Sequence, residues 1–389
     1  MNGNLDTVVD ILSRLVACPS VSGRPNHDIV GVVRDILETR GIPCSLSVDA
    51  SGERANVFAT VGPSRDGGVV LCGHMDVVPV DGQHWQTDPF RMTRIGDRLH
   101  GRGTVDMKGF LACVLASVPV WQTMDLSRPI HIAFTYDEEI GGFGMPVLLR
   151  DMAKRDFRPG IVIVGEPTGM KIVSGHKGAI ELHTVVTGLE AHSCNPFHGV
   201  NAIAYAMRLV NRIEEHARRN SANPVAGSPY DPPFPTLNVG RINGGTARNI
   251  TSGWCEFDWE IRMLPGDDGM DVVDDIRRYC EQQLVPEMRL RHPEADIVTT
   301  IEARVPGLDD RHAGDAVDFV RSLTGLNTED VVSFGTDAGY FSEEAYSTIV
   351  FGPGSIDRAH KPDEYIELGE LAEGLEFLGK VGRQLAVSL

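Results

Sequence analysis

An imidazole or a carboxylate side chain follows each of four apolar, β-branched segments of the chain. A further acid, Asp106, lies in GRGTVDMKG, where glycines allow a tight turn before an apolar stretch. If the four segments are neighbouring parallel strands, their carboxyl ends meet at one edge of a sheet and these side chains converge. The residues that follow the segments are His74 and Asp76, then Asp137, Glu138 and Glu139, then Glu166, and finally His360.

Histidines combined with several carboxylates form a donor set that suits zinc, cobalt or manganese, and two ions better than one. Calcium and magnesium prefer sites made only of oxygen atoms, so the histidines argue against those ions. Without a cation, so many like charges could not all stay ionised in one cleft. The pattern therefore predicts a centre for two divalent metal ions.

Each of these residues also has a simpler interpretation when it is taken alone. A single histidine is more often a hydrogen-bonded core residue than a ligand, and the DEE sequence at 137–139 is more often a solvated turn. We favour the metal interpretation because four independent turns rarely share one chemistry.

The elements around these segments are typical of an α/β fold. Helical periods over 5–15, 26–41 and 107–121 predict three helices. Near-continuous Val/Ile segments that alternate with helices predict a sheet covered on both faces. The four predicted strands lie at 68–76, 129–139, 160–168 and 347–354.

The middle of the chain has a different pattern. Residues 179–304 alternate strands and helices in the order βαββαβ, which predicts a ferredoxin-like α+β unit, and its helix at 199–219 is strongly amphipathic. This unit interrupts the α/β domain. We therefore expect the first part of that domain at 1–178 and the second part at 305–389.

Composition argues against several classes of function. The 389 residues are 42% apolar and carry a net charge of −18, which disfavours nucleic acid and anionic membranes as partners. The first ten residues lack the pattern of a signal peptide, and no apolar run approaches the ~18 residues of a membrane span. Seven scattered cysteines without a CxxC pair indicate reduced thiols. We expect a cytoplasmic protein without a nucleic-acid or membrane partner.

Six motifs occur along the chain in the order GHMDVVP, GRGTVDMKG, DEEIGGFG, GEPT, AHS and FGPGSIDRAHKPDEY. These motifs and their order resemble one enzyme family, the acetylornithine deacetylases and succinyl-diaminopimelate desuccinylases. These enzymes are dinuclear zinc amidohydrolases related to carboxypeptidase G and aminoacylase, and the tail of this chain is closer to the deacetylases. The resemblance implies an α/β, zinc-exopeptidase-like catalytic domain with a mixed sheet covered by helices, interrupted by a ferredoxin-like lid and dimerisation domain.

The resemblance implies a role for each predicted metal ligand. His74 and Glu166 correspond to the ligands of one ion, and Glu139 and His360 to those of the other. Asp106 corresponds to the bridge between the two ions. The expected metal is zinc, with cobalt or manganese as alternatives.

The resemblance also implies the catalytic groups. Asp76 orients the imidazole of His74, as metal-bound histidines generally require. Glu138 is the general base, which takes a proton from a metal-activated water and gives it to the leaving amine. His192, in GLEAHSCNP, is the oxyanion donor and serves the partner's site in a homodimer. The bond between Asp106 and Met107 is expected to be cis.

Substrate binding is implied in two parts of the chain. Asn249 and Arg262 correspond to residues that bind the substrate carboxylate, although a surface ion pair is the simpler interpretation of an arginine. Gly335, Thr336 and Asp337 correspond to residues that line the side-chain pocket. This pocket sequence is GTDAG, whereas the acetylornithine deacetylases typically carry a glutamate in TEAP, so ornithine selectivity is in question.

The function that follows is metal-dependent hydrolysis of the amide bond of N-acyl-L-amino acids. The first substrate to expect is N-acetylornithine or a related N-acetyl amino acid, which places the chain in amino-acid metabolism, with arginine biosynthesis as the first pathway. A dipeptidase, an aminoacylase or a desuccinylase of the same family is the alternative. A non-catalytic metal- or ligand-binding protein is the more remote one.

Overall fold

The computed structural model describes residues 4–386, which divide into two compact units. The first unit contains 4–176, 308–331 and 336–386, and the second contains 177–307 and 332–335. The α-helices are α1 (Leu5–Val16), α2 (His27–Glu38), α3 (Gly109–Gln122), α4 (Gly144–Met152), α5 (Ala202–Ala222), α6 (Met270–Tyr279), α7 (Val285–Arg289), α8 (Gly314–Thr324), α9 (Ala338–Glu343) and α10 (Leu368–Leu385).

The strands are β1 (Cys44–Val48), β2 (Ala55–Val61), β3 (Val69–His74), β4 (Thr93–Ile95), β5 (Arg98–His100), β6 (Ile130–Thr135), β7 (Ile161–Val164), β8 (Ile172–His176), β9 (Gly178–Thr187), β10 (Ala191–His192), β11 (Thr236–Gly244), β12 (Ile250–Thr251), β13 (Trp254–Met263), β14 (Asp296–Val305), β15 (Glu329–Val332), β16 (Ser347–Val350) and β17 (Tyr365–Glu367).

The first unit is built on an eight-stranded mixed sheet in the order β1-β2-β6-β3-β7-β16-β8-β15. Its centre is parallel. Strand β3 pairs in parallel with β6 and with β7, and β7 pairs in parallel with β16 on its other side. Every residue of β3, β6 and β7 is buried, which explains their continuous apolar sequences. The prediction that the four ligand-bearing strands are parallel neighbours is confirmed.

The outer strands make this sheet mixed. Strand β2 pairs antiparallel with both β1 and β6, and β8 pairs antiparallel with β16. The sequence prediction did not include β1 and β2, whose short segments lack a continuous apolar run. The mixed sheet with helices nevertheless has the predicted fold class.

Helix α3 is the central helix of the first unit. It packs against α1 and α10, and Trp121 Nε1 donates a hydrogen bond to the carbonyl oxygen of Leu378 at 3.1 Å. Within the described residues, the helical stretch Thr104–Gln122 is long and apolar enough to cross a membrane by composition, but 89% of its most apolar window is buried in this fold. The prediction that no stretch reaches this length is therefore wrong, because a helix that is apolar on all sides also fits a protein core.

The second unit has a four-stranded antiparallel sheet in the order β11-β13-β9-β14. Helix α5 follows β9 and α6 precedes β14, so the chain order is βαββαβ and the topology is ferredoxin-like, as predicted. Residues of β9 and β13 alternate between buried and partly exposed, and α5 packs on both strands. The second unit consequently has a hydrophobic core of its own.

The two units differ in extent from the predicted 1–178, 179–304 and 305–389. Strand β14 continues to Val305, so the second unit extends to 307. Residues 332–335 also belong to the second unit, where the backbone N–H of Lys177 donates to the carbonyl oxygen of Val332 at 3.3 Å. The sequence pattern does not indicate that residues 332–335 belong to the second unit, because this assignment depends on a contact between distant segments.

Candidate metal centre

Predicted ligands lie where three neighbouring strands of the first unit end. His74 is the last residue of β3 and is level with Thr135, the last residue of β6. Glu166 follows β7, and Glu138 and Glu139 lie in a single 3₁₀ turn that follows β6. The parallel register therefore brings these side chains to the same edge of the sheet.

Asp106 lies between the two histidines, with one carboxylate oxygen facing each. Its Oδ1 is 3.0 Å from Nε2 of His74, and its Oδ2 is 3.1 Å from Nε2 of His360. Nε2 of His74 is also 3.5 Å from Oε1 of Glu166, and Nε2 of His360 is 2.9 Å from Oε2 of Glu139. The five predicted ligands thus form two His–Glu pairs that share Asp106, which is the grouping implied by the resemblance.

Asp76 contacts His74 mainly through its backbone. Nδ1 of His74 is 2.9 Å from the carbonyl oxygen of Asp76 and 3.7 Å from its Oδ1. The Asp76 carboxylate instead accepts hydrogen bonds from the backbone N–H groups of Glu138 (3.1 Å) and Glu139 (3.3 Å) and from Ser22 Oγ (2.7 Å). Asp76 therefore holds the imidazole in place and also fixes the turn that carries both glutamates.

Asp137 diverges from its two neighbours. Its backbone is left-handed, with φ 56° and ψ 36°, and its side chain forms an ion pair with Arg54. The other oxygen accepts a hydrogen bond from the backbone N–H of Gly23 at 2.8 Å. The three consecutive acids are thus divided between a structural ion pair and the candidate metal centre.

Burial strongly perturbs the glutamates of this centre. Loss of solvent raises the pKa of Glu138 and of Glu166 well above the usual range, with neighbouring carboxylates adding to the effect. The same burial raises the pKa of Glu139 to about 7. These acids would take up protons unless a cation neutralised them.

The two histidines are surrounded by carboxylates, which raise the pKa of both imidazoles. Hydrogen bonds to Asp106 and Glu139 raise the pKa of His360 to about 10. Burial alone would lower the pKa of His74, but Glu166 and Asp106 outweigh burial and hold that pKa well above its usual value. Asp106 keeps a pKa below the usual range because both histidines hydrogen-bond to it and outweigh its burial.

The donor set fits divalent metal ions. His74, Asp106 and Glu139 place three ligand atoms within 4.8 Å of one another, and His74, Glu138 and Glu166 form a second such group. Imidazole nitrogen with carboxylate oxygen is the chemistry expected for zinc, cobalt or manganese. A cation would keep the raised-pKa glutamates ionised and would replace protons on the histidines.

The turn that carries Asp106 depends on an acid that received no role in the sequence analysis. The peptide bond between Asp106 and Met107 is cis, as predicted. The buried carboxylate of Glu364 accepts hydrogen bonds from the backbone N–H groups of Gly103, Val105 and Asp106 at 3.0, 2.9 and 3.2 Å. Its position four residues after His360, within AHKPDEY, is the sequence signal that could have identified it.

Two of the three predicted pocket residues, Thr336 and Asp337, are buried. Asp337 is 1% exposed, and its Oδ2 accepts a hydrogen bond from Thr135 Oγ1 at 2.6 Å. Burial raises its pKa to about 6, and its Oδ1 has no hydrogen-bond partner in the part of the chain that the structure describes. Thr336 is also buried, 3.1 Å from Nε2 of His176, whereas Gly335 belongs to the second unit.

His192 and Asn249 are neighbours in the second unit. Strands β10 and β12 pair His192 with Ile250, and the backbone N–H of Ser193 donates to the carbonyl oxygen of Asn249 at 3.1 Å. Nδ1 of the exposed His192 accepts a hydrogen bond from the backbone N–H of Cys194 at 3.1 Å. This bond assigns the proton of the neutral imidazole to Nε2, which can therefore donate to another group.

Arg262 lies on β13, among the side chains that alternate with the buried residues. Its Nη2 forms an ion pair with Oε2 of Glu260 at 2.6 Å, so part of the guanidinium is engaged within the same strand. The structure therefore places Asn249, His192 and Arg262 in the second unit and the predicted metal ligands in the first.

Comparison with known proteins identifies the family of this chain. The family model for peptidase family M20/M25/M40 matches residues 70–384. The acetylornithine deacetylase of Proteus mirabilis (strain HI4320) is 33% identical over 391 residues, covering 98% of this chain and 97% of that protein.

Solved structures with low sequence identity share the fold. The M20 family metallo-carboxypeptidase Sso-CP2 from Sulfolobus solfataricus matches with a TM-score of 0.73 at 17% identity, covering 97% of this chain and 99% of that one. The dinuclear metal-binding M20 peptidase YXEP from Bacillus subtilis matches with a TM-score of 0.65 at 14% identity, covering 99% of both chains. From the family match and the full-length identity together, the chain belongs to peptidase family M20/M25/M40 and is a hydrolase of that family.

Proposed function

We propose that this hydrolase binds two divalent metal ions and cleaves the amide bond of N-acyl-L-amino acids. The observation that carries the proposal is the position of Asp106, whose two oxygens face two separate His–Glu pairs. The B. subtilis peptidase of the same fold, which is dinuclear, supports two ions here. Zinc is the proposed metal, with cobalt and manganese as alternatives.

Glu138 is the proposed general base. Divalent ions at such a centre polarise an amide carbonyl and lower the pKa of water. The backbone N–H of Glu138 is held by Asp76, and a carboxylate oxygen of Glu138 lies in the group with His74 and Glu166. Burial raises the pKa of Glu138 above its usual value, and a carboxyl group beside a metal-bound water can take a proton and return it to a leaving amine.

His192 is the proposed oxyanion donor. Its Nδ1 accepts from the backbone, which leaves the Nε2–H to stabilise negative charge on a substrate oxygen. The resemblance to the deacetylases supports a homodimer in which His192 of one chain serves the metal centre of the other.

Exposed apolar side chains in the second unit also support this dimer, because such side chains favour protein contacts. They are Phe197, Met207, Val225, Ile242, Ile250, Trp254, Leu290 and Val298.

Arg262 and Asn249 are proposed to bind the α-carboxylate of the substrate. A guanidinium has five N–H donors in a planar fork, so the contact with Glu260 leaves donors that match a carboxylate. Binding of substrate would then compete with Glu260 for the charge of Arg262.

N-acetylornithine is the first proposed substrate, which would place the chain in arginine biosynthesis in the cytoplasm. The relative from P. mirabilis supports this choice, because it is an acetylornithine deacetylase. The burial of Asp337 favours a second candidate, a dipeptidase, aminoacylase or desuccinylase activity on other side chains. A carboxyl that is 1% exposed and bonded to Thr135 is poorly placed to select a basic side chain.

A substrate panel before and after metal removal tests the proposed function. The panel comprises N-acetylornithine, N-acetylmethionine, N-succinyl-diaminopimelate and a dipeptide. We expect a chelator to abolish hydrolysis and added Zn²⁺, Co²⁺ or Mn²⁺ to restore it. Full activity in protein shown to contain no metal would contradict the proposal.

The same assay with amidated substrates tests the role of Arg262. The wild type should lose much of its kcat/KM when the α-carboxylate is amidated, whereas Arg262→Ala should discriminate little between the two forms. Arg241→Ala is the matched control, because Arg241 pairs with Asp258 on the neighbouring strand. Equal cleavage of acid and amide by the wild type would favour an aminopeptidase-like activity instead.

A further inference from the structure

Three buried or half-buried side chains connect two of the ligand-bearing segments in the first unit. Gln83, Arg102 and Glu364 form this set, which we call the Glu364 network. Glu364 and Arg102 are 2% and 1% exposed, and Nη1 of Arg102 lies 2.7 Å from Oε2 of Glu364. The proposed mechanism uses none of these residues.

One end of the network holds the turn of Asp106. Oε1 of Glu364 accepts from the backbone N–H groups of Val105 and Asp106, and Oε2 accepts from that of Gly103. A single carboxylate thus fixes the backbone immediately before the shared ligand. The charge makes these hydrogen bonds stronger than bonds to a neutral acceptor.

The other end holds the segment of His360. Nε2 of Gln83 donates to the backbone oxygen of His360 at 3.0 Å, and Oε1 of Gln83 accepts from Nη2 of Arg102 at 2.6 Å. Arg102 also donates from Nη1 to the carbonyl oxygen of Lys361 at 3.3 Å. Because His360 has a left-handed backbone, with φ 61°, it needs such external contacts to hold its conformation.

We infer that the residues of the Glu364 network are positioning residues that set the distance between Asp106 and His360. They would thereby determine the affinity for the metal ion assigned to Glu139 and His360. Glu364 belongs to the segment that supplies His360 and at the same time holds the turn that supplies Asp106. The inference rests on the proposed dinuclear centre. Loss of partners that orient metal ligands typically weakens metal binding 10- to 100-fold.

Substitution of Glu364→Gln tests this inference. The side chain keeps its length, but one acceptor oxygen becomes an amide that faces N–H donors. Metal-free protein is titrated with Co²⁺, the visible absorption of the bound ion is followed, and urea unfolding is measured in parallel. We expect one of two ions to bind about 10- to 100-fold more weakly and its absorption band to change.

Glu367→Gln is the matched control, because Glu367 lies on the same segment and pairs with Arg98 at the surface. This control should titrate like the wild type. Gln83→Glu provides a second test that leaves the buried Arg102–Glu364 pair intact. The new carboxylate keeps an acceptor for Arg102 but has no donor for the backbone oxygen of His360. Gln83→Glu should therefore also weaken the binding of one ion, and this test remains even if Glu364→Gln does not fold.

The outcomes separate the inference from the proposed function. If the wild type binds two ions, and neither Gln83→Glu nor a folded Glu364→Gln binds either ion more weakly, the inference is wrong and the dinuclear centre stands. If the wild type binds no second ion, both the dinuclear centre and the inference are wrong. Weaker binding of one ion by Gln83→Glu or Glu364→Gln, with unchanged binding by Glu367→Gln, supports the inference.

Discussion

Glu138 and Glu139 are adjacent in sequence but have different contacts. Glu139 lies 2.9 Å from Nε2 of His360, whereas Glu138 groups with His74 and Glu166. The tight turn fixed by Asp76 lets consecutive side chains point to different parts of the centre. At the residue scale, this divergence would allow Glu138 to act as the proposed base while Glu139 acts as the proposed metal ligand.

Substitution of each glutamate by glutamine should separate these roles. Glu138→Gln should lower turnover by roughly 10²–10⁴-fold with near-normal metal content, because only the proton-transfer group is lost. Glu139→Gln should release metal from one position. Steady-state kinetics and elemental analysis of both variants check this prediction, and the reverse pattern would show that the two roles are exchanged.

The ligand types could be predicted from the sequence because strand ends and residue chemistry are local features. His74, Glu166 and the DEE turn each follow an apolar strand that the pattern identifies. The direction of Asp137 could not be predicted, since it depends on a left-handed backbone and on the distant Arg54. The burial of Asp337 could not be predicted either, because its partner Thr135 is far away in the chain.

At the scale of elements, β6 carries a buried histidine that is separate from the metal centre. Nδ1 of His131 lies 2.9 Å from Oγ1 of Thr60, and the ring stacks on Phe157 with centroids 4.6 Å apart. Burial lowers the pKa of His131 to about 4, and its Nε2 has no hydrogen-bond partner among residues 4–386. We therefore expect the strand that precedes the turn of Glu138 and Glu139 to lose stability in acid.

His131→Phe should reduce the loss of stability between about pH 6.5 and pH 4. In that range the unfolded chain takes up a proton that folded His131 does not, so the free energy of unfolding falls as pH falls, by up to about 3 kcal/mol. Urea unfolding at pH 7 and pH 4.5 measures the effect. His312→Phe, at an exposed turn, is the control, and an identical pH dependence in wild type and His131→Phe would contradict the prediction.

At the scale of the whole molecule, the proposed dimer combines residues from two chains at each metal centre. A mixture of the inactive His192→Ala and Glu138→Gln proteins should regain activity, because each mixed dimer would contain one intact site. Mixing Glu138→Gln with the double variant His192→Ala/Glu138→Gln is the control and should restore nothing. Absence of recovery despite proven exchange of subunits would exclude donation of His192 between chains.

Strand β16 lies between β7 and β8 in the sheet, although the whole second unit separates it from them along the chain. During synthesis at 5–20 residues per second, β7 waits on the order of ten seconds for the strand that completes its pairing. His360, the last ligand, emerges only after β16. A nascent or truncated chain that stops before His360 therefore lacks the second His–Glu pair, so we expect hydrolytic activity only after residue 360 has been translated and folded.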